Sequence, residues 1–325
     1  MQVIKEHIKN NQYKQVYLLY GTEDYLKNLY KTKLKNAIIG NGQDMNYSYF
    51  EGKGIDVGKV IEMAETLPFF SERRLIIIEH SGFFKAQSEL ADYIKTMPET
   101  TYLVFVENEV DKRNRLYKAV KEIGTISEMN GMDEKNLKLW IASILKRSGK
   151  RITEQTLMHF INKTGPDMEN MNSELEKLIC YAYDRDVVTV SDIDEICTTQ
   201  VTSKIFAMVD AIGSKNQKLA LDLYEDLLAL KEKPMTILYL ISRQINLIMQ
   251  VKALSDLQYS NATIASKAGI PPFTVNKYTM QGRNFTKETL VEALQSCVDI
   301  EEQVKTGRMN EKMGVELLIV QFSRD

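Results

Sequence analysis

Leu75, Ile76, Ile77 and Ile78 form an unbroken apolar run that is mostly β-branched, a pattern a strand carries where both its faces are covered. The pattern recurs at Val16–Tyr20 (VYLLY) and at Thr101–Glu107 (TYLVFVE). Three such runs with helical spacing between them predict a parallel sheet flanked by helices, an α/β domain.

The run at 75 closes a stretch, residues 67–79 (LPFFSERRLIIIE), that joins three signals. Ahead of it, Val57, Val60, Ile61, Ala64 and Leu67 recur at spacings of three and four, which predicts a short helix with all five on one face. Pro68 fixes its own φ and biases Leu67 out of the helical region, so the helix is expected to stop there. Phe69 and Phe70 follow in a proline-led turn, and Ser71, Glu72, Arg73 and Arg74 lead into the strand. Two readings stay open. Either the rings stand at the tip as a charge-rimmed knob suited to a protein partner, or one ring folds onto the sheet while the other covers the helix end.

The run at Val16–Tyr20 leads into Gly21-Thr22-Glu23-Asp24 and a helix, the place where a nucleotide-binding α/β domain would carry its phosphate loop. A GxxxxGK[ST] loop begun at Gly21 needs Gly, Lys and Ser or Thr at 26–28, and the chain has Leu26, Lys27 and Asn28. Glu23 and Asp24 would also oppose phosphate by charge. The expectation is an ATPase-like framework that does not hold ATP. Thr101–Glu107 ends in Glu107-Asn108 where an ATPase would place an acidic pair, and this lone carboxylate is expected to face solvent. Residues 111–118 (DKRNRLYK) read as a solvated helix start, with Lys112, Arg113 and Arg115 able to approach a phosphate backbone as the second reading.

At 325 residues two or three domains are expected. A 44% hydrophobic and 26% charged composition is that of a soluble globular protein, and no window reaches the roughly 18 apolar residues of a membrane span. Residues 1–14 are too polar for a secretory signal, so a cytoplasmic location and no membrane partner are expected. The net charge of −2 argues against a broadly basic nucleic-acid binder. Cys180, Cys197 and Cys297 form no CxxC pair and are each expected to fill a core gap; His7, His80 and His159 have no ligand spacing, so no metal site is expected.

From about Met132 the periodicity becomes helical. Leu137, Trp140, Ile141, Ile144 and Leu145 mark one helix, followed by the basic turn Lys146-Arg147-Ser148-Gly149-Lys150. Leu157 and Phe160 mark a second, and Leu175, Leu178 and Ile179 a third begun after Gly165-Pro166. The passage 189–193 (TVSDI) reads as a capped helix start. A larger module begins near Ile205 and ends in two helices, one with Leu290, Ala293, Leu294, Cys297 and Val304, the other with Val315, Leu318, Ile319 and Phe322, separated at Lys305-Thr306-Gly307. These stripes read as packing core. One segment suggests another function: Ala265, Gly269 and Val275 stand at helix-turn-helix offsets, with Pro271-Pro272 able to open the second helix and Lys277 almost the only basic residue on its face.

In order along the chain, VYLLYGTEDYLK, LPFFSERRLIIIE, VFVENEVDKRNRLYK, KRSGKRIT, ELEKLICY, IFAMVDAIG, ILYLISRQINLIMQVK and VKTG together resemble the delta subunit of the bacterial DNA polymerase III clamp loader. The likeness covers essentially the whole chain. It implies α/β plus all-α architecture: an AAA+-like α/β domain at 1–133 without a functional phosphate loop, a small helical lid domain at 134–204, and a helical collar domain at 205–325 used in oligomerisation. It also implies a non-catalytic subunit of the polymerase holoenzyme that takes no cofactor. Such a subunit would bind and open the sliding clamp (the beta subunit) for loading onto primed DNA, in a hetero-pentamer with gamma/tau and delta prime subunits. The clamp-binding wedge of that family matches Phe69 and Phe70, with Leu67 and Pro68 as support; Phe-Phe stands where other members can have Leu-Phe. Lys112, Arg113, Arg115, Lys146, Arg147 and Lys150 are candidate DNA-backbone contacts, second to the solvated reading. The alternative kept beside this is a helix-turn-helix DNA-binding protein.

Overall fold

A computed structural model describes residues 1–40 and 44–324, which form two compact units, Met1–Gly131 and Met132–Asp325. The first unit is built on a parallel sheet of five strands: β1 (Val16–Tyr20), β2 (Tyr47–Glu51), β3 (Arg74–Glu79), β4 (Thr101–Glu107) and β5 (Thr125–Glu128), in the order β2-β3-β4-β1-β5. The helices are α1 (Gln2–Asn10), α2 (Asp24–Ile39), α3 (Val57–Glu65), α4 (Leu90–Tyr93) and α5 (Arg115–Ile123). The three apolar runs are the three central strands, and β1 and β3 are buried throughout. Alternate residues serve opposite layers, as a period of two demands. Val16, Leu18, Ile76, Ile78, Leu103 and Phe105 share a core with Val60, Ala64, Leu90, Leu116 and Val120 of α3, α4 and α5. The other face is covered by α2, whose Leu26, Tyr30 and Leu34 are buried, and by α1, whose His7 Nδ1 is 3.0 Å from the Tyr17 hydroxyl.

The edge strands β2 and β5 escaped the sequence reading. Their burial is partial and mixed, so Tyr47–Glu51 (YSYFE) and Thr125–Glu128 (TISE) carry no continuous apolar run. Helix α3 also ends earlier than its spacing implied. Val60 and Ala64 are buried, but the helix stops at Glu65, and Leu67 lies beyond it with 75% of its surface exposed.

The second unit contains α6 (Glu134–Arg147), α7 (Glu154–Thr164), α8 (Met168–Tyr181), α9 (Val190–Ile196), α10 (Val201–Gly213), α11 (Gln217–Ala229), α12 (Pro234–Asp256), α13 (Asn261–Ala268), α14 (Val275–Gly282), α15 (Lys287–Lys305) and α16 (Glu311–Phe322). N-caps set the starts: Asp133, Thr153, Asp167, Asn216, Ser260, Thr286 and Asn310 each accept a main-chain N–H from the first turn. The capped start at 189–193 is a full capping box, with Thr189 and Asp192 bonded reciprocally. A two-residue parallel pair, β6 (Arg151–Ile152) with β7 (Val187–Val188), is too short to leave a periodic signal. Helices α10, α11, α12, α15 and α16 enclose one core that includes Tyr224, Ile241, Leu290, Cys297, Leu318 and Phe322. Cys197 and Cys297 fill core positions and burial pushes both thiols up to about 12, whereas Cys180, expected inside, is exposed on α8. Among the described residues no helix is long and apolar enough to cross a membrane.

Candidate functional site

The stretch between α3 and β3 is a rigid corner held by buried polar side chains. A helix end leaves carbonyls without partners, and here the chain turns extended at Thr66 and then meets Pro68, which has no N–H to offer. Side chains replace the missing donors. The Thr66 hydroxyl donates to the Glu62 carbonyl at 2.9 Å, and the buried Thr101 hydroxyl on β4 donates to the Ala64 carbonyl at 2.7 Å. Arg74, at the start of β3 and buried, reaches back so that Nε donates to the Thr66 carbonyl at 2.8 Å and Nη2 to the Leu67 carbonyl at 3.3 Å. A guanidinium fork suits this task because its donors are fixed in one plane.

The turn itself is gripped from a second side. Asn46, 2% exposed, donates from Nδ2 to the Phe69 carbonyl at 2.8 Å and accepts the Phe69 N–H on Oδ1 at 2.6 Å. With its main chain fixed in this way Phe69 is 55% exposed, and Phe70 is 92% exposed. The two rings meet edge to face, with centroids 4.4 Å apart and planes at 80°. Phe70 has φ 45°, a left-handed conformation that costs a bulky residue roughly 1–2 kcal/mol. The surrounding bonds hold it there, and the effect is to throw the ring outward. Of the two readings left open by the sequence, the structure has both rings out. The charged rim differs from expectation: Glu72 is exposed, but Arg73 lies over the Tyr13 ring at 4.9 Å and Arg74 is buried, because both cations serve the corner's own framework. Exposed Met45, immediately before Asn46, adds to the apolar surface at this end of the sheet.

Asn46 and Arg74 are the positioning residues that sequence reasoning missed. Asn46 is separated from Phe69 by 23 positions, and nothing local signals the pairing. For Arg74 a signal existed, since a charged residue heading a doubly buried strand must find internal acceptors.

At the carboxyl end of β1 the phosphate-loop position is filled from within. Gly21 has φ 134°, and a Cβ there would stand 2.3 Å from the Met129 carbonyl oxygen, so only glycine fits. Lys27, at the place of the phosphate-loop lysine, is 2% exposed; its ammonium lies 2.8 Å from Asp24 and donates to Asn108 Oδ1. Glu107 is buried rather than solvent-facing. Its Oε1 accepts the Ser81 N–H at 3.0 Å and the Ser81 hydroxyl, while burial raises its carboxyl above the ordinary value. Among the described residues no group of three His, Cys, Asp or Glu is placed to hold a metal ion.

The basic residues fall into two kinds. Lys112, Arg113 and Arg115 are exposed and paired with Glu128, Asp111 and Asp92 at 3.1, 3.0 and 3.0 Å, contacts that solvent screens. Lys146 and Arg147 are exposed at the end of α6. Lys150 departs from its expected role: it is buried, and its ammonium donates to the carbonyls of Ala182, Tyr183 and Arg185 at 2.6, 3.0 and 2.7 Å, closing the end of α8. In the segment with helix-turn-helix offsets, Gly269 makes the turn at φ 65° and a 3-10 turn at Pro272–Thr274 precedes α14. Its second helix is committed internally, with Asn276 accepting from Asn261 and Lys277 lying 3.9 Å over the Phe206 ring.

Comparison with known proteins gives concordant results for both units. Residues 17–130 match the family described as DNA polymerase III, delta subunit, and residues 202–322 match DNA polymerase III delta subunit, C-terminal domain. The chain is 27% identical to DNA polymerase III subunit delta of Bacillus subtilis (strain 168), over 97% of this chain and 94% of that one. It is 21% identical to the probable DNA polymerase III subunit delta of Aquifex aeolicus (strain VF5), over 74% and 71% of the two chains. Among solved structures, the Bacillus subtilis DNA clamp loader delta protein superposes with a TM-score of 0.83 at 25% identity, covering 99% of each chain.

Proposed function

This chain belongs to the DNA polymerase III delta subunit family, and from that premise we propose that it binds the ring-shaped sliding clamp through Phe69 and Phe70 and opens it for loading onto primed DNA. The observation that carries this reading is the pair of exposed rings on a main chain fixed by Asn46 and Arg74. Most of the cost of ordering an interface loop is thereby met before any partner arrives. Leu67 and Pro68 extend the apolar tip. Burying two phenylalanines supplies roughly 3–6 kcal/mol before association costs, enough to bias one interface of a ring. Opening follows only if the wedge binds the strained clamp better than the closed one, since equal affinity for both shifts nothing.

The subunit works without ATP. The occupation of Lys27 by Asp24 and Asn108 supports this, because the cation that would meet a phosphate already has an internal carboxylate. It is a non-catalytic, cytoplasmic member of a hetero-pentamer with gamma/tau and delta prime subunits. Within it the α/β domain (1–133) carries the wedge, residues 134–204 act as lid, and residues 205–325 act as collar. Exposed Lys112, Arg113, Arg115, Lys146 and Arg147 meet the DNA backbone in the assembled complex through salt-sensitive contacts.

The test is binding of the cognate sliding clamp by the full chain and by Phe69→Ala/Phe70→Ala, with the melting curve of each. Loss of binding by a folded double variant is the expected result. Near-normal affinity in that variant removes the site assignment.

A further inference from the structure

The second unit contains an open cavity of ≈780 Å³ among α7, α10, α12 and the segment from Gly269 to Arg283. That volume is within the range of small-molecule sites, roughly 300–1,000 Å³. The proposed clamp and DNA contacts make no use of it. Its walls are aromatic: Phe206, Phe273 and Tyr278 line it, and the Phe206 and Tyr278 rings meet edge to face at 5.8 Å. Its charge is one-sided. Arg243, Lys277 and Arg283 line it with one lining carboxylate, Glu134, which Lys138 already holds at 2.9 Å; Asp210 acts on Lys277 from outside the lining.

Lys277 is the most constrained of the three. It is half-buried, with its ammonium 3.9 Å from the Phe206 ring centroid. Burial draws its pKa below the ordinary value and Asp210 acts in the opposite sense. A ring face offers a cation only part of what water would, so an entering anion gains directly from its presence. The segment with helix-turn-helix offsets supplies this wall: Gly269 turns the chain, Pro271 stiffens it, and α14 presents Lys277 and Tyr278.

We propose that this cavity is a binding site for a small organic anion with a flat apolar body, its rings against Phe206, Phe273 and Tyr278 and its acidic group on Arg243 and Lys277. The pairing of apolar walls with a few cationic side chains is what orients a ligand of that class. Arg283 adds long-range attraction at the rim.

The test uses two fluorescent probes of the same shape, anilinonaphthalene sulfonate and its neutral parent N-phenyl-1-naphthylamine, titrated into the full chain. The expected result is saturable sulfonate binding at one site, weakened about tenfold or more in Arg243→Met/Lys277→Met, as loss of charge-assisted bonds requires. Binding of the neutral probe to the same variant should change by less than about twofold. Non-saturable sulfonate binding, equal loss of both probes, or no loss in the charge variant overturns the proposal. So does loss confined to Phe69→Ala/Phe70→Ala, which would place the probe on the exposed rings instead. Should the double variant unfold, Arg243→Met alone decides, because Arg243 is exposed and outside the core; unchanged sulfonate affinity in that variant refutes the site.

Discussion

Asn46 holds both main-chain polar groups of Phe69, accepting its N–H at 2.6 Å and donating to its carbonyl at 2.8 Å, across 23 residues of sequence. A residue held at both its N–H and its carbonyl has little freedom left, and the ring it carries inherits that restriction. The corner is therefore ordered by residues that no partner would touch.

Asn46→Ala should weaken clamp binding about tenfold, the equivalent of one to two net hydrogen bonds, while Phe69 and Phe70 remain in place. Asn46→Asp keeps the acceptor but sets a buried carboxylate oxygen against the Phe69 carbonyl, so it should weaken binding at least as much. In the Phe69→Leu background, which keeps an apolar tip and so a measurable affinity, Asn46→Ala should cost less than in the parent, because the smaller side chain depends less on being positioned. Surface plasmon resonance on the four proteins, completing a double-mutant cycle, checks this. Additive losses would mean that Asn46 acts elsewhere.

Phe70 is held at φ 45°. Phe70→Gly and Phe70→Ala remove the same ring, but only glycine adopts that conformation freely. The glycine variant should be the more stable of the two by about 1 kcal/mol in urea unfolding, while both lose clamp affinity alike. A less stable glycine variant would argue that the corner relaxes once the ring is gone.

Lys150 and its neighbours separate structure from contact. Lys150→Met leaves three carbonyls at the end of α8 without their donor and should cost about 2–4 kcal/mol of stability with little change in DNA affinity. Lys146→Ala/Arg147→Ala should do the reverse, lowering DNA affinity of the assembled loader and flattening its salt dependence with the melting temperature unchanged. Chemical denaturation and fluorescence anisotropy with primed DNA measure the two effects.

Glu107 gives a pH signature. Burial raises its carboxyl in the folded state, so the folded chain binds more protons than the unfolded one in that window. Stability then falls as pH rises from the ordinary carboxyl value through the raised one. Glu107→Gln keeps an acceptor for Ser81 and removes the charge, so it should melt higher than the parent at neutral pH and lose that slope. Calorimetry across pH 4–8, roughly the span of a perturbed carboxyl, tests it. An unchanged slope would assign the pH dependence to other groups.

The strands at the sheet centre were legible because double burial writes itself as a continuous apolar run, and Val16–Tyr20, Arg74–Glu79 and Thr101–Glu107 all carry one. Partly exposed edges do not, which is why Tyr47–Glu51 went unread. The helical stripes of the second unit were equally plain, since period and capping are local properties. Cys180 shows the limit of composition: a residue type that prefers the interior lies outside when its helix face does.

Sequence by itself determined the three central strands, the helical stripes and the departure from the phosphate-loop pattern, because each depends on neighbours a few positions apart. Tertiary structure alone decided that both rings point outward, that Lys150 closes a helix and that Glu107 lies inside. Those outcomes rest on partners such as Asn46 for Phe69, Ala182 for Lys150 and Ser81 for Glu107, brought within bonding distance only when the chain is folded. A side chain's direction is set by whichever donors and acceptors surround it, and that list is a property of the fold, not of the adjacent residues.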